Sequence, residues 1–159
     1  MRKNASPLEA LLWSIALPGF GQFLNGKYVK AVVLIGLEFL INLGARLNLA
    51  IMSSFQGDIH AAIAHTNYQW LMFYPCVYMF SIWDAYKDAG GGTSGYATLP
   101  FVGCAFAGTV GLMYSPTLRI FGALLGPVWL PMLFAGAGLL IGVGLGSVLR
   151  RRAAGDGTA

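Results

Sequence analysis

Five apolar segments separated by short polar breaks constrain this chain more than any other feature. They cover residues 8–24, 28–52, 69–85, 98–114 and 120–149. A helix needs about 20 apolar residues to cross the hydrocarbon of a bilayer. The second and last segments are long enough, and the third and fourth can cross if interfacial residues complete their ends. The pattern predicts an all-α, polytopic helical membrane protein.

The composition leaves little room for a soluble domain. Of the 159 residues, 57% are hydrophobic and only 10% are charged, which is far from the balance of a soluble fold. We predict a single integral membrane domain over residues 1–152 and a short polar C-terminal tail over 153–159. The basic residues lie at segment ends rather than along a groove, so they indicate membrane topology and not nucleic-acid binding.

The first segment admits two interpretations. Pro18, Gly19 and Gly21 interrupt it, so it can form a re-entrant or hairpin segment that accompanies four transmembrane helices. Alternatively it crosses completely, and the chain has five spans. Broken backbone at membrane depth must be satisfied by protein or water, so a re-entrant segment has to lean on the other helices.

The distribution of Lys and Arg predicts the orientation, because these residues favour cytoplasmic loops. The break over 53–69 contains neither residue, so we expect it outside. Lys87 and the arginines at 150–152 are then inside, as is Lys27. Arg2 and Lys3 join them only if the first segment turns back. The expected location is the cell membrane, with several passes and a cytoplasmic C-terminus.

The string from Pro18 to Ala31 reads Pro-Gly-x-Gly-Gln-x-x-x-Gly-Lys-x-x-Lys-Ala. It resembles the glycine-turn hairpin of small bacterial membrane proteins of the two-transmembrane-helix domain family. The Trp83-Asp84 pair near the end of the third segment is similar to the helix end of that family. The resemblance implies a bacterial cytoplasmic-membrane protein with a helical hairpin and no established catalytic residues. The greater distance to Trp83 indicates an inserted span and outer loop.

The hairpin corner supplies one set of candidate contact residues on the inner face. They are Pro18, Gly19, Gly21, Gln22, Gly26, Lys27 and Asp84. Because the corner and the end of the third segment are predicted on the same side, Asp84 can pair with Lys27 or Lys30. An exposed pair of this kind contributes only about 0–1 kcal/mol.

Three polar residues form a candidate intramembrane stripe in the second segment. Glu38, Asn42 and Arg46 follow at intervals of four, which puts them near one face of a helix. A carboxylate in the membrane is costly unless it is paired, protonated or beside a polar cavity. The stripe is either an internal polar clamp or part of a proton or ion route.

The last segment carries small residues at helical spacing. Gly138, Gly142 and Gly146 form a repeated G-x-x-x-G face that lets another helix approach closely. Gly103, Ala107 and Gly111 give the fourth segment a similar face. The two segments can therefore pack against each other, or the glycine face can serve a homo-oligomer or a membrane protein partner.

The sequence offers no set of residues for catalysis. Asp84 and Asp88 lack a third ligand with suitable spacing for a metal ion, and His60 and His65 are poorly spaced for zinc. Neither H-E-x-x-H nor G-x-S-x-G occurs. We expect a non-enzymatic protein with no cofactor or metal, in contact with membrane lipid, that serves as an accessory, scaffold or oligomeric subunit. The alternative is a small transporter or channel that uses Glu38.

Overall fold

The computed structural model describes residues 5–155 and consists almost entirely of helices, which confirms the all-α prediction. The helices are α1 (Pro7–Ala16), α2 (Phe20–Leu24), α3 (Tyr28–Ala45), α4 (Leu47–Phe55), α5 (Ile59–His65), α6 (Tyr68–Leu71), α7 (Tyr74–Asp88), α8 (Leu99–Tyr114) and α9 (Gly126–Gly155). A two-residue antiparallel hairpin of β1 (Arg119–Ile120) and β2 (Ala123–Leu124) joins α8 to α9.

The first apolar segment folds into a helical hairpin. Ser6 caps α1 by accepting a hydrogen bond from the Glu9 amide, and α1 ends at Ala16. Gly19 then adopts φ +99°, and α2 doubles back so that Gly21 lies directly against Ala10. In a straight helix these two residues would be about 16 Å apart. Residues 7–24 are therefore not one continuous helix.

Both ends of this hairpin lie at the same end of α7. Ser6 and Tyr86 line one groove, whereas the Tyr78 hydroxyl, two turns earlier in α7, donates to the Ile15 carbonyl. The helix α2, which returns from the corner, leads to Lys30, and Lys30 contacts Asp88. We call this end of the molecule, which contains Ser6, Lys30 and Asp88, the hairpin end.

The opposite end is closed by short helices. The predicted 28–52 segment divides at Arg46, whose φ of +56° ends α3 and starts α4 in a new direction. The Trp129 indole N–H donates to the Ser54 carbonyl at 3.3 Å and so joins α4 to the start of α9. A buried apolar cluster lies beneath these helices and consists of Ala45, Leu47, Leu71 and Leu112.

Helices α8 and α9 form the most extensive helix pair and run antiparallel, with Gly111 beside Phe134 and Gly103 beside Gly138. The 120–149 segment thus consists of a turn followed by one helix. Pro127 occupies the first turn of α9, where a missing N–H costs little. The helix continues to Gly155, so the first residues of the predicted polar tail are helical. Residues 156–159, Arg2 and Lys3 lie outside the described residues.

Two helices are long and apolar enough to cross a membrane by length and composition, namely Tyr28–Ala45 and Gly126–Ala154. Pro7–Ala16 and Leu99–Tyr114 are shorter apolar helices. Large hydrophobic side chains are exposed on the outer faces of the long helices, among them Val29, Phe39, Leu140 and Ile141. Such a surface is expected where lipid rather than water surrounds a protein.

Candidate functional site

Gln22 is the central polar residue between the hairpin and α7. Its side chain is completely buried, and Nε2 donates to the Ser81 carbonyl at 2.8 Å and to Asp84 Oδ2 at 3.1 Å. Both partners are acceptors, so they fix the orientation of the amide. The Gln22 side chain therefore bonds both to the backbone and to a carboxylate of α7.

Two further hydrogen bonds flank Gln22. The Gly19 amide donates to Ser81 Oγ at 3.1 Å, and Asn25 Nδ2 donates to the Ala85 carbonyl at 2.8 Å. The acceptors of these bonds belong to Ser81, Asp84 and Ala85, which lie within one and a half turns of α7. We refer to Gly19, Gln22, Asn25, Ser81 and Asp84, with their bonds to α7, as the hairpin site.

Lys30 adds two ion pairs to the hairpin site. Its Nζ lies 2.7 Å from Asp84 Oδ1 and 2.9 Å from Asp88 Oδ2. Of the two lysines expected as partners of Asp84, the structure pairs Lys30, whereas Lys27 is exposed and makes no ion pair within the described part of the chain. The Lys30 side chain is 46% exposed, so each pair stabilises the fold by no more than about 1 kcal/mol.

The glycines of the corner permit this approach. A Cβ on Gly21 would lie against Ser14 Oγ and the Ala10 carbonyl, and 2.7 Å from the Ala85 Cβ. A Cβ on Gly19 would lie 2.6 Å from Ile35 Cγ1 in α3. Pro18 beside them is buried. Gly26 is different, because it has open space around it and is required instead for its φ of +73°.

Sequence reasoning missed two members of the hairpin site. Asn25 occupies a variable position of the string from Pro18 to Ala31, and nothing in its spacing marked it. Ser81 precedes Asp84 by three residues in α7, which puts both on one helix face. This spacing was the available signal, because a carboxylate expected to contact the corner brings its helical neighbours with it.

The three residues of the predicted polar stripe, Glu38, Asn42 and Arg46, lie in three different environments. Glu38 is 8% exposed, its Oε2 has no hydrogen-bond partner, and its carboxyl interacts with the side chain of Tyr74 in α7. Asn42 Nδ2 donates instead to Asn48 Oδ1 at 3.2 Å. Arg46 is exposed and lies beyond the end of α3. The structure therefore does not join the three side chains into one network.

The glycine face of α9 is covered by α8. A Cβ on Gly138 would lie against the Gly103 carbonyl, and one on Gly142 would lie 2.5 Å from the Leu99 carbonyl and 2.6 Å from Pro100 Cα. The face continues to Gly146, whose Cβ would be 3.4 Å from the Tyr96 carbonyl. Of the two predicted uses of this face, the structure contains the packing of the fourth segment against the last.

Residues 5–155 contain no group of three or more His, Cys, Asp or Glu side chains that could hold a metal ion. Cys76 is exposed, Cys104 is buried, and neither forms a disulfide. His60 and His65 both lie on α5, whose Ile59 lies against Gly126 at the start of α9. The N–H donors of the hairpin site are used in bonds between helices, whereas the buried Gln22 Oε1 and Asn25 Oδ1 have no hydrogen-bond partner. The donors suit the arrangement to holding a backbone conformation.

Comparison with known protein families, with characterised proteins and with solved structures yields no match.

Proposed function

We propose that this chain is a non-enzymatic, multi-pass protein of the bacterial cytoplasmic membrane that acts as an accessory or scaffold subunit. The observation that carries the proposal is the distribution of polar and apolar groups. The buried hydrogen-bonding side chains of the hairpin site are directed between helices, while large apolar side chains cover the outside.

The proposed topology has four transmembrane helices and a re-entrant hairpin. Helices α3 and α9 supply two spans. A third is supported by α6 and α7, which follow each other with only residues 72–73 between them, and α8 supplies the fourth. Ser6 and Arg150 of α9 line the same groove, so the beginning of α1 and the end of α9 both lie at the hairpin end. We assign this end, and with it both termini, to the cytoplasm.

The resemblance to the two-transmembrane-helix domain family gains support from one contact. The Pro18–Ala31 string and the Trp83-Asp84 pair carry the resemblance, and they are separated by more than 50 residues in sequence. They meet through Gln22 and Lys30, which both contact Asp84. On this proposal the chain is a version of that hairpin unit, enlarged by α4 to α6 and extended by α8 and α9.

The partner-binding surface in this proposal is not the Gly138 to Gly146 face, because α8 occupies it. The outward faces of α3 and α9 are available instead. Phe39, Leu40 and Leu43 are exposed on α3. On α9, Gly136 and Gly144 have open space around them, so a further membrane helix could approach there.

Cysteine labelling from each side of the membrane tests the topology. Cys76 and Cys104 are replaced by Ser, and single cysteines are introduced by Ser6→Cys and Lys27→Cys, both at exposed positions. We expect an impermeant thiol reagent to label both only from the cytoplasmic side. Labelling from opposite sides would reject the re-entrant hairpin, and recovery of the protein outside the membrane fraction would reject the whole proposal.

The scaffold role is tested by the stoichiometry of the tagged protein purified from native membranes in mild detergent. A partner present at a fixed ratio, lost when Leu40→Ala and Leu43→Ala are combined, supports the role. The matched control combines Phe106→Ala and Met113→Ala on α8, which are also exposed apolar side chains. A monomer without a stoichiometric partner contradicts it.

Glu38 favours a second candidate, a small proton- or ion-linked transporter or channel. A buried carboxyl with an oxygen lacking a hydrogen-bond partner, on a helix long enough to span, is characteristic of functional intramembrane acids. In proteoliposomes this candidate requires that Glu38→Gln abolishes flux while the protein remains folded. Asn42→Ala is the comparison, since the Asn42 side chain donates its hydrogen bond to Asn48. Equal flux for the wild type and Glu38→Gln rejects transport through Glu38.

A further inference from the structure

A groove with a cavity volume of about 650 Å³ lies between α1, α8 and α9 at the hairpin end. Leu8 and Leu11 of α1 form one wall, and Phe101 of α8 and Val143 of α9 form the others. Gly142 and Gly146 of α9 also line the groove, beside Pro100 of α8. Its walls are apolar along most of their length.

One end of the groove is cationic. Arg150 lines it, and its Nε donates to the Gly146 carbonyl at 3.3 Å. This bond holds the guanidinium beside the groove and leaves its terminal N–H groups for an anion. Tyr86 and Tyr96 line the same groove. Arg150 follows Gly142 by eight residues, so the apolar part extends about 12 Å along α9 from the charge.

A cation at the mouth of an apolar groove complements an amphiphile with an anionic head. The opening lies at the end of α9 where residues 150–152 are all arginine. In a chain that spans a membrane, such residues lie at the level of the lipid headgroups. Arg151 and Arg152 are exposed and do not line the groove, so they contribute to general attraction rather than to this contact.

We propose that the groove binds one anionic phospholipid, with the phosphate on Arg150 and one acyl chain along the apolar walls of α1 and α9. The lipid would fill the space between the hairpin and the α8–α9 pair and so link two parts of the molecule. This inference rests on the proposed function, since only an integral membrane protein meets phospholipid in this orientation.

Native mass spectrometry of the full chain in a neutral detergent tests the site. Phosphatidylglycerol and phosphatidylethanolamine with identical acyl chains are compared at equal concentrations. We expect one saturable adduct of phosphatidylglycerol, a rise in Tm on its addition, and at least about tenfold weaker retention of phosphatidylethanolamine. Arg150→Gln should weaken phosphatidylglycerol binding by about tenfold, the loss of one charge-assisted contact. Arg152→Gln is the matched control and should retain it.

Val143→Trp tests the apolar part without altering charge, because the indole occupies the groove. It should weaken phosphatidylglycerol binding, whereas Leu140→Trp, on an exposed part of α9 outside the groove, should not. Equal losses for Arg150→Gln and Arg152→Gln would overturn the groove in favour of general attraction to the arginine cluster. Binding of glycerol 3-phosphate with equal affinity would overturn a lipid ligand in favour of a free phosphate.

The failure of this inference is distinguishable from failure of the proposed function. A protein that resides in the membrane but retains no phosphatidylglycerol overturns the lipid site alone. A protein absent from the membrane fraction overturns the proposed function first. Circular dichroism and size-exclusion chromatography establish that each variant is folded before its lipid binding is compared.

Discussion

Two helix contacts in this molecule use glycine in different ways. At the hairpin site, Gly19 and Gly21 bring a bent backbone close to α7 and α3, and polar side chains such as Gln22 then bond across the contact. Between α8 and α9, Gly138 and Gly142 bring two regular helices together with backbone against backbone. The first contact combines packing with directional bonds, whereas the second depends on packing alone.

This difference indicates what each contact specifies. Close helix packing in an apolar medium depends on small residues and van der Waals contact, and it tolerates sliding if a similar small residue replaces the first. Hydrogen bonds from Gln22 and Asn25 to carbonyls four residues apart on α7 permit only one register. The hairpin is therefore held in a unique position even though its two helices are short.

The largest effect is expected in the packing contact. Gly142→Val would drive a side chain into the Leu99 carbonyl and Pro100 Cα of α8. Both are backbone atoms and cannot move aside independently of α8. Overpacking of this kind costs about 1–3 kcal/mol, and we expect the upper part of that range. The measurement is reversible unfolding in mixed detergent, followed by circular dichroism.

Gly144→Val provides the matched control. It makes the same substitution on the same helix, but at a position with open space around the added Cβ. We expect a change below about 1 kcal/mol, the difference in intrinsic helix propensity. Comparable destabilisation by the two substitutions would mean that helix propensity, and not contact with α8, controls the stability of α9.

A smaller but still substantial loss is expected when the directional bonds are removed. Gln22→Leu keeps the approximate volume but leaves the Gly19–Gly26 corner without its two central bonds to Ser81 and Asp84. Lost bonds to buried acceptors cost about 1–3 kcal/mol. Unfolding should show this loss, and a cysteine at Ser14, which is buried on α1, should become more reactive as the hairpin detaches.

Gln56→Leu is the control for the same change of side chain, since Gln56 is exposed at the end of α4. Its stability should match the wild type within about 0.5 kcal/mol. If Gln22→Leu were equally neutral, the glycine contacts alone would hold the hairpin, and the distinction between the two contacts would disappear.

The sequence predicted the features that follow from short-range pattern. The apolar segments gave the principal helices, and the small residues of α8 and α9 predicted that these helices could pack together. The corner at Pro18 and Gly19 indicated a possible reversal of the chain. Such features are readable from sequence because helical periodicity and glycine spacing reflect local geometry.

What the sequence did not predict depends on tertiary contacts. Helix α3 ends at Arg46, a non-glycine residue with φ of +56°, whereas the nearest glycine, Gly44, remains helical. That change of direction removes Arg46 from the predicted stripe and lets Asn42 pair with Asn48. The choice of Lys30 over Lys27 likewise depended on how the hairpin meets α7, because both lysines lie on the same predicted side.

The smallest effect separates charge from hydrogen bonding within the hairpin site. Lys30→Gln removes the ion pairs with Asp84 and Asp88 but leaves the Gln22 amide in contact with α7. Because the lysine is partly exposed, a double-mutant cycle with Asp84→Asn should give a coupling of about 0.2–1 kcal/mol. The coupling should shrink at high salt, and Lys27→Gln should show none. A coupling as large as the loss caused by Gln22→Leu would make the hairpin contact chiefly ionic. It would then hold its position by attraction to two carboxylates rather than by the register of its amides.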